Sequence, residues 1–296
     1  MIIVYDKIGQ MSNRIWSAVP SIAHSLENNE KMVFLYFGDY IHFFPHINDN
    51  PLIRFYGIKG KWAIIFKILS KLSKLNIISP RFRDLNSKTA IKFIQGWRSR
   101  HMVNGDLIAK HKDEICKIFS FSDGIISEVS DIFADKRKSN DVIVGVHIRR
   151  GDYQKWINGK YYFSDELYSK WIKAIDAELK LKGKSASFYI ASNEKIKAEN
   201  YTGINYFVLE NSSSEKDIFA LSQCNYIMGP TSTYSQWAAF TGDIPILFLL
   251  SRDEMPVIKD FSKVVSLFYF ESGQSMILDE TGFRYVDGLQ YNYNRI

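Results

Sequence analysis

The feature that most constrains this chain is the alternation, through its second half, of short β-branched runs with helical patterns, the signature of a parallel sheet with crossover helices. In order, the pattern predicts a strand Val142 to Ile148, a helix Ser164 to Leu181, and strands Ser187 to Ala191 and Ile204 to Leu209. A helix Ser214 to Cys224, a strand Tyr226 to Gly229, a helix Thr233 to Thr241 and a strand Ile244 to Leu250 follow. The expected unit is Rossmann-like, with ligands bound outside the carboxyl ends of the strands.

The first half opens with a strand Ile2 to Tyr5, a loop through Gly9, a helix Asn13 to Leu26 and a strand Met32 to Phe37, a βαβ unit with its own open sheet. Residues 40 to 130 read as mostly helical or irregular. The polar stretch Ala134 to Asp141 has the composition of a linker, so the expected domains are 1–138 and 139–296. A chain of 296 residues has material for two cores. The expected architecture is two Rossmann-like α/β domains facing a cleft.

The strand Val142 to Ile148 runs into His147-Ile148-Arg149-Arg150-Gly151-Asp152-Tyr153. An arginine at a strand's carboxyl end offers a planar, permanently charged fork for phosphate oxygens, and Gly151 permits a tight turn that brings backbone amides near an anion. The competing reading is an arginine pair bonded to Asp152 and solvent. Downstream, Gly229-Pro230-Thr231-Ser232-Thr233-Tyr234-Ser235-Gln236-Trp237 follows a second apolar strand and enters a helix. Unpaired amides at such a terminus bind anions, and Ser232, Thr233 and Ser235 add hydroxyls; simple helix capping is the alternative.

The two motifs together, in this order, resemble the α1,2-fucosyltransferase family and its wider fucosyltransferase relatives over Val142 to Phe248. The family's His-x-Arg-Arg-x-Asp motif appears as HIRRGDY, and its later pattern as DIFALSQCNYIMGPTSTYSQWAA. The resemblance implies a GT-B type glycosyltransferase in which Arg149 binds the donor's diphosphate, joined by Arg150. It sets His147 and Asp217 near the nucleoside, and Ser232, Thr233 and Ser235 in the phosphate turn. Near the N-terminus IGQMSNRIW resembles the family's Asn-containing acceptor-side loop, bringing in Asn13 and Arg14, although a second glycine is missing. Asp152 is the nearest acid for a general base, or else orients Arg150.

No Asp-x-Asp occurs and the six histidines are not read as a metal pair, so no metal is expected. Residues 59 to 100 carry eleven Lys or Arg against one acid, Asp84. Within them, residues 59–76 place Ile65, Ile68, Leu69, Leu72 and Leu75 at helical spacing with Lys67, Lys71 and Lys74 on another face, a pattern for an anionic membrane surface or for an ordinary solvated helix. Two cysteines, Cys116 and Cys224, and no secretory pattern or membrane span point to a cytoplasmic protein, peripheral at the inner face of the membrane if that helix docks.

The resulting expectation is an inverting, metal-independent transfer of L-fucose from GDP-fucose to a glycan hydroxyl in polysaccharide or oligosaccharide synthesis, without nucleic-acid partners. The alternatives are another sugar nucleotide on the same fold, or a non-catalytic nucleotide- or glycan-binding protein.

Overall fold

The computed structural model describes residues 1–74, 79–99 and 105–288, and these divide into two compact units, Met1–Ser122 with Val265–Leu267 and Asp123–Val264 with Phe268–Ile296. The first unit contains β1 (Ile2–Val4), α1 (Met11–Asn28), β2 (Met32–Phe34), β3 (Ile53–Phe55), α2 (Gly60–Lys74), β4 (Lys92–Ile94) and the short helices α3 (Gly96–Ser99), α4 (Gly105–Lys110) and α5 (Lys112–Ile118). Its sheet runs β3-β2-β1-β4, parallel throughout. Each strand alternates buried with half-buried positions, and the buried ones meet an aromatic core. In that core Phe37 lies 5.0 Å from Phe55 and 5.9 Å from Phe119. A fully buried Phe contributes about 1.5–3 kcal/mol, so this cluster carries much of the unit's stability.

The strands β3 and β4 fall in the stretch expected to be helical or irregular. Each is three residues long, too short to display a period of two, and the parallel register against β2 and β1 defines them instead.

The second unit contains α6 (Asp123–Arg137), β5 (Val142–Ile148), α7 (Asp165–Leu181), β6 (Ala186–Ser192), β7 (Tyr206–Phe207), α8 (Ser214–Ser222), β8 (Tyr226–Gly229), α9 (Thr233–Gly242) and β9 (Ile246–Phe248). The order β7-β6-β5-β8-β9, all parallel, reverses direction at β5. The topological switch point therefore lies between β5 and β8, where open α/β sheets bind ligands. β10 (Val264–Ser266), β11 (Tyr269–Phe270), β12 (Gln274–Asp279) and β13 (Gly282–Asp287) follow, with β12 and β13 forming an antiparallel hairpin.

The division falls after Ser122, upstream of the expected boundary at 138. The reason is α6, which buries Val129 and Phe133; the Phe133 ring packs 5.5 Å from both Tyr189 of β6 and Phe207 of β7. The charged end of this helix resembles a linker in composition, whereas its apolar face belongs to the second sheet.

Candidate functional site

The site builds from the two strands that flank the switch point. Val146 of β5 pairs with Met228 of β8, so the motifs that continue from these strands emerge side by side. Gly229 permits this close pairing, since a Cβ there would lie 2.6 Å from the His147 carbonyl oxygen and 2.9 Å from its Cβ.

After β5 the chain turns through Gly151, whose φ of +60° is open to glycine at little cost. Asn193, just past β6, fixes the turn by accepting the Arg150 N–H at 2.8 Å. Its side-chain oxygen thereby holds the arginine loop.

The adjacent arginines part company. Arg149 is half-buried, and its Nε and one terminal nitrogen meet Asp152 Oδ1 at 3.0 and 2.9 Å. Its guanidinium carbon stands 5.7 Å from the Tyr153 ring centroid. The edge of the guanidinium away from Asp152 is not engaged among the described residues, which leaves an oriented fork for a ligand. Arg150 is 7% exposed and points the other way, donating to the Phe163 carbonyl and to Asp165 Oδ1 and standing 5.2 Å from the Tyr162 ring. Asp165 is supplied by the first turn of α7, capped by Ser164, and also accepts from Asn200 and Tyr201. Arg150 is thus built into the fold, which corrects its expected contact with the donor. Asp152 orients Arg149 and not Arg150.

His147 is 4% exposed, with its ring 5.2 Å from that of Tyr234. Burial, reinforced by the Arg149 charge, pushes its pKa down to about 3, so the imidazole is neutral. Its Nδ1 has no partner among the described residues. Asp217, on the first turn of α8, is buried and accepts the Tyr189 hydroxyl at 2.8 Å; burial raises its pKa above the usual carboxylate range despite hydrogen bonds from Ser212 and Tyr189.

After β8, Ser232 caps α9 by accepting the Tyr234 N–H at 3.2 Å. Ser232 and Thr233 are half-buried, but Ser235 is fully buried and its hydroxyl donates to the Ser232 carbonyl at 3.3 Å. Ser235 therefore serves the helix start, a correction to its expected place among ligand donors. No acid occupies the first turn of α9, so its amide dipoles remain positive toward an anion.

In the first unit Gly9 turns with φ +46° ahead of α1, and a Cβ there would collide with Asn13 Nδ2. Asn13 is half-buried on the first turn of that helix. Arg14 is buried, donates to the Tyr36 carbonyl at 2.8 Å and to Asp39 Oδ2 at 2.9 Å, and stands 4.8 Å from the Tyr40 ring. These contacts fix the loop after β2.

On α2 the side chains of Trp62, Ile64, Ile65 and Ile68 are exposed, as are Lys59 and Lys61 beside them. The side chains of Lys67, Leu69, Lys71, Leu72 and Lys74, and residues 75 and 76, lie outside the described residues. Among the described residues no helix is long and apolar enough to cross a membrane, and no three His, Cys, Asp or Glu come together as a metal-holding group.

Three comparisons bear on this geometry. A fold likeness extends to the NodZ alpha-1,6-fucosyltransferase soaked with GDP-fucose, at 12% identity and TM-score 0.54 over 97% of this chain and 99% of that one. A second is to a mutant of Arabidopsis thaliana FUT1 in complex with GDP, at 12% identity and TM-score 0.59 over 96% and 83%. At these identities the likeness speaks for the fold, the Rossmann-like α/β class of GT-B type. No curated protein matches the sequence. The model of glycosyl transferase family 11 matches residues 77–246, a span that takes in β5, the arginine turn, β8 and the capped start of α9. Because that match covers more than half of the sequence and runs through both motifs at the switch point, this chain belongs to glycosyl transferase family 11 and is a glycosyltransferase.

Proposed function

We propose that the enzyme transfers L-fucose from GDP-β-L-fucose to a glycan hydroxyl with inversion and without a metal, in polysaccharide or oligosaccharide synthesis. The observation that carries this reading is the parallel pairing of β5 with β8, which sets the Arg149 turn beside the amino terminus of α9. Fucose itself rests on the family and on the fold likeness to fucosyltransferases, two of which were studied with GDP-fucose or GDP bound.

In the proposed reaction the acceptor hydroxyl oxygen attacks the anomeric carbon from the face opposite the phosphate, the bond from that carbon to the β-phosphate oxygen breaks, GDP departs with the bonding electrons, and the hydroxyl proton is released to solvent water. Negative charge grows on that leaving group. The Arg149 fork, the α9 amides and the Ser232 and Thr233 hydroxyls stabilise it more in the transition state than in the ground state. Asp152 aims the guanidinium, so its carboxylate is assigned orientation and not proton abstraction. Neutral His147 and the Asp217 carboxyl are assigned to the nucleoside, and Asn13 to the acceptor side. Turnover assays with GDP-fucose, GDP-mannose and UDP-sugars over a panel of glycan acceptors test this reading. Fucose transfer supports it, a different preferred donor replaces the sugar assignment, and GDP binding without any turnover refutes it.

The exposed apolar side chains of α2, set in a stretch of eleven basic residues against one acid, favour a second element of the reading: this helix lies on an anionic membrane surface. That location suits a cytoplasmic enzyme acting on lipid-linked acceptors.

A further inference from the structure

Tyr153 closes the HIRRGDY motif and lies in the tight turn Gly151–Gln154. Its ring is 8% exposed, lies near the Arg149 guanidinium, and sits 4.7 Å from the Trp156 ring, which in turn packs against Tyr161 and Phe283. Its hydroxyl donates to the Thr231 carbonyl at 2.6 Å. Thr231 is itself buried and immediately precedes the cap of α9. One side chain therefore touches both halves of the phosphate site.

We propose that Tyr153 is a positioning residue for glycosyl transfer, setting the distance and angle between the Arg149 fork and the amino terminus of α9. This rests on the reading that those two groups hold the diphosphate. The physical case is preorganisation. Two charge-stabilising groups on separate loops act on one leaving group only if their spacing is fixed before the reaction, and a small misplacement costs rate more than affinity. Burial also holds the phenol far above its ordinary pKa, so it remains a donor at every working pH.

Tyr153→Phe separates the two roles, because the ring and its contacts stay and only the hydroxyl goes. Loss of this bond leaves a buried carbonyl unpaired, for which a fall in kcat of about tenfold is expected, with KM for GDP-fucose changed by no more than about threefold. Rates are compared well below each variant's own Tm, so that any loss of stability does not enter. In a double-mutant cycle with Arg149→Lys, which keeps the charge but removes the fork, the combined loss is expected to fall well short of the product of the single losses. Wild-type kcat in Tyr153→Phe, or losses that multiply in full, overturns the inference. Arg149→Ala keeps the two claims apart: if it retains activity the site reading fails, whereas an inactive Arg149→Ala beside a fully active Tyr153→Phe sinks only the positioning role.

Discussion

Consider Arg150→Ala, a substitution one residue from the proposed phosphate ligand. The Arg150 guanidinium is 7% exposed and satisfied by the Asp165 carboxylate and the Phe163 carbonyl, with the Tyr162 and Tyr168 rings nearby. Truncation strands a carboxylate in surroundings arranged for an ion pair. Breaking a buried pair by removing one partner costs about 3–5 kcal/mol. The lower end applies here, because Asp165 keeps its bonds from Asn200 and Tyr201. At about 2–4 °C per kcal/mol for a unit of this size, the Tm should drop by about 6–12 °C. Calorimetry or circular dichroism on the purified variant reads this directly, and fucose transfer should persist at temperatures where the variant is folded. A Tm within about 2 °C of wild type, or complete loss of transfer in a fully folded Arg150→Ala protein, would refute the assignment of this arginine to the scaffold.

Three further outcomes follow from the same geometry. The His147 pKa in the folded protein, about 3, lies below its ordinary 6.5, so the unfolded chain binds the extra proton more readily. The stability it contributes is present above pH 6.5 and is lost as pH falls from there toward 3, a sensitivity that His147→Gln should reduce in thermal melts between pH 4 and 7; an unchanged acid dependence would count against a buried neutral imidazole. Gly229→Ala forces a methyl group against the His147 backbone and should lower both Tm and turnover, whereas a wild-type protein at that position would contradict the close pairing of β5 with β8. Sedimentation with phosphatidylserine liposomes should fall with added salt and be lost when Trp62, Ile64 and Ile68 become Ser, and an intact protein that ignores such liposomes would remove the membrane element of the proposal.

Much of the second sheet was legible in sequence because its central strands are long, apolar and bounded by polar or Gly residues. The spans expected for β5 and β8 coincide with those observed, Val142–Ile148 and Tyr226–Gly229. Edge strands fared worse. The run Ile204 to Leu209 contributes only Tyr206–Phe207, since an edge strand pairs on one side and its apolar ends serve the loops. That Arg150 is locked into the scaffold was not legible in the residues around it. It depends on Asp165, sixteen residues beyond Arg149 and delivered by the first turn of α7. The roles of Asn193 and Tyr153 were hidden for a similar reason: each acts on a partner brought near by the sheet, and only the sequence signal of a strand end or a motif's last residue marks their positions.

The central claim is that a diphosphate sits between the Arg149 fork and the amino terminus of α9. Arg149→Ala tests it most directly, in a paired measurement of GDP-fucose turnover and Tm. Removing a single oriented donor to a developing anion is expected to lower kcat by about 100- to 1,000-fold. The Tm should stay within about 2 °C of wild type, because the side chain is half-buried and, among the described residues, it pairs only with exposed Asp152. Turnover within a few-fold of wild type in a folded Arg149→Ala protein would contradict the account.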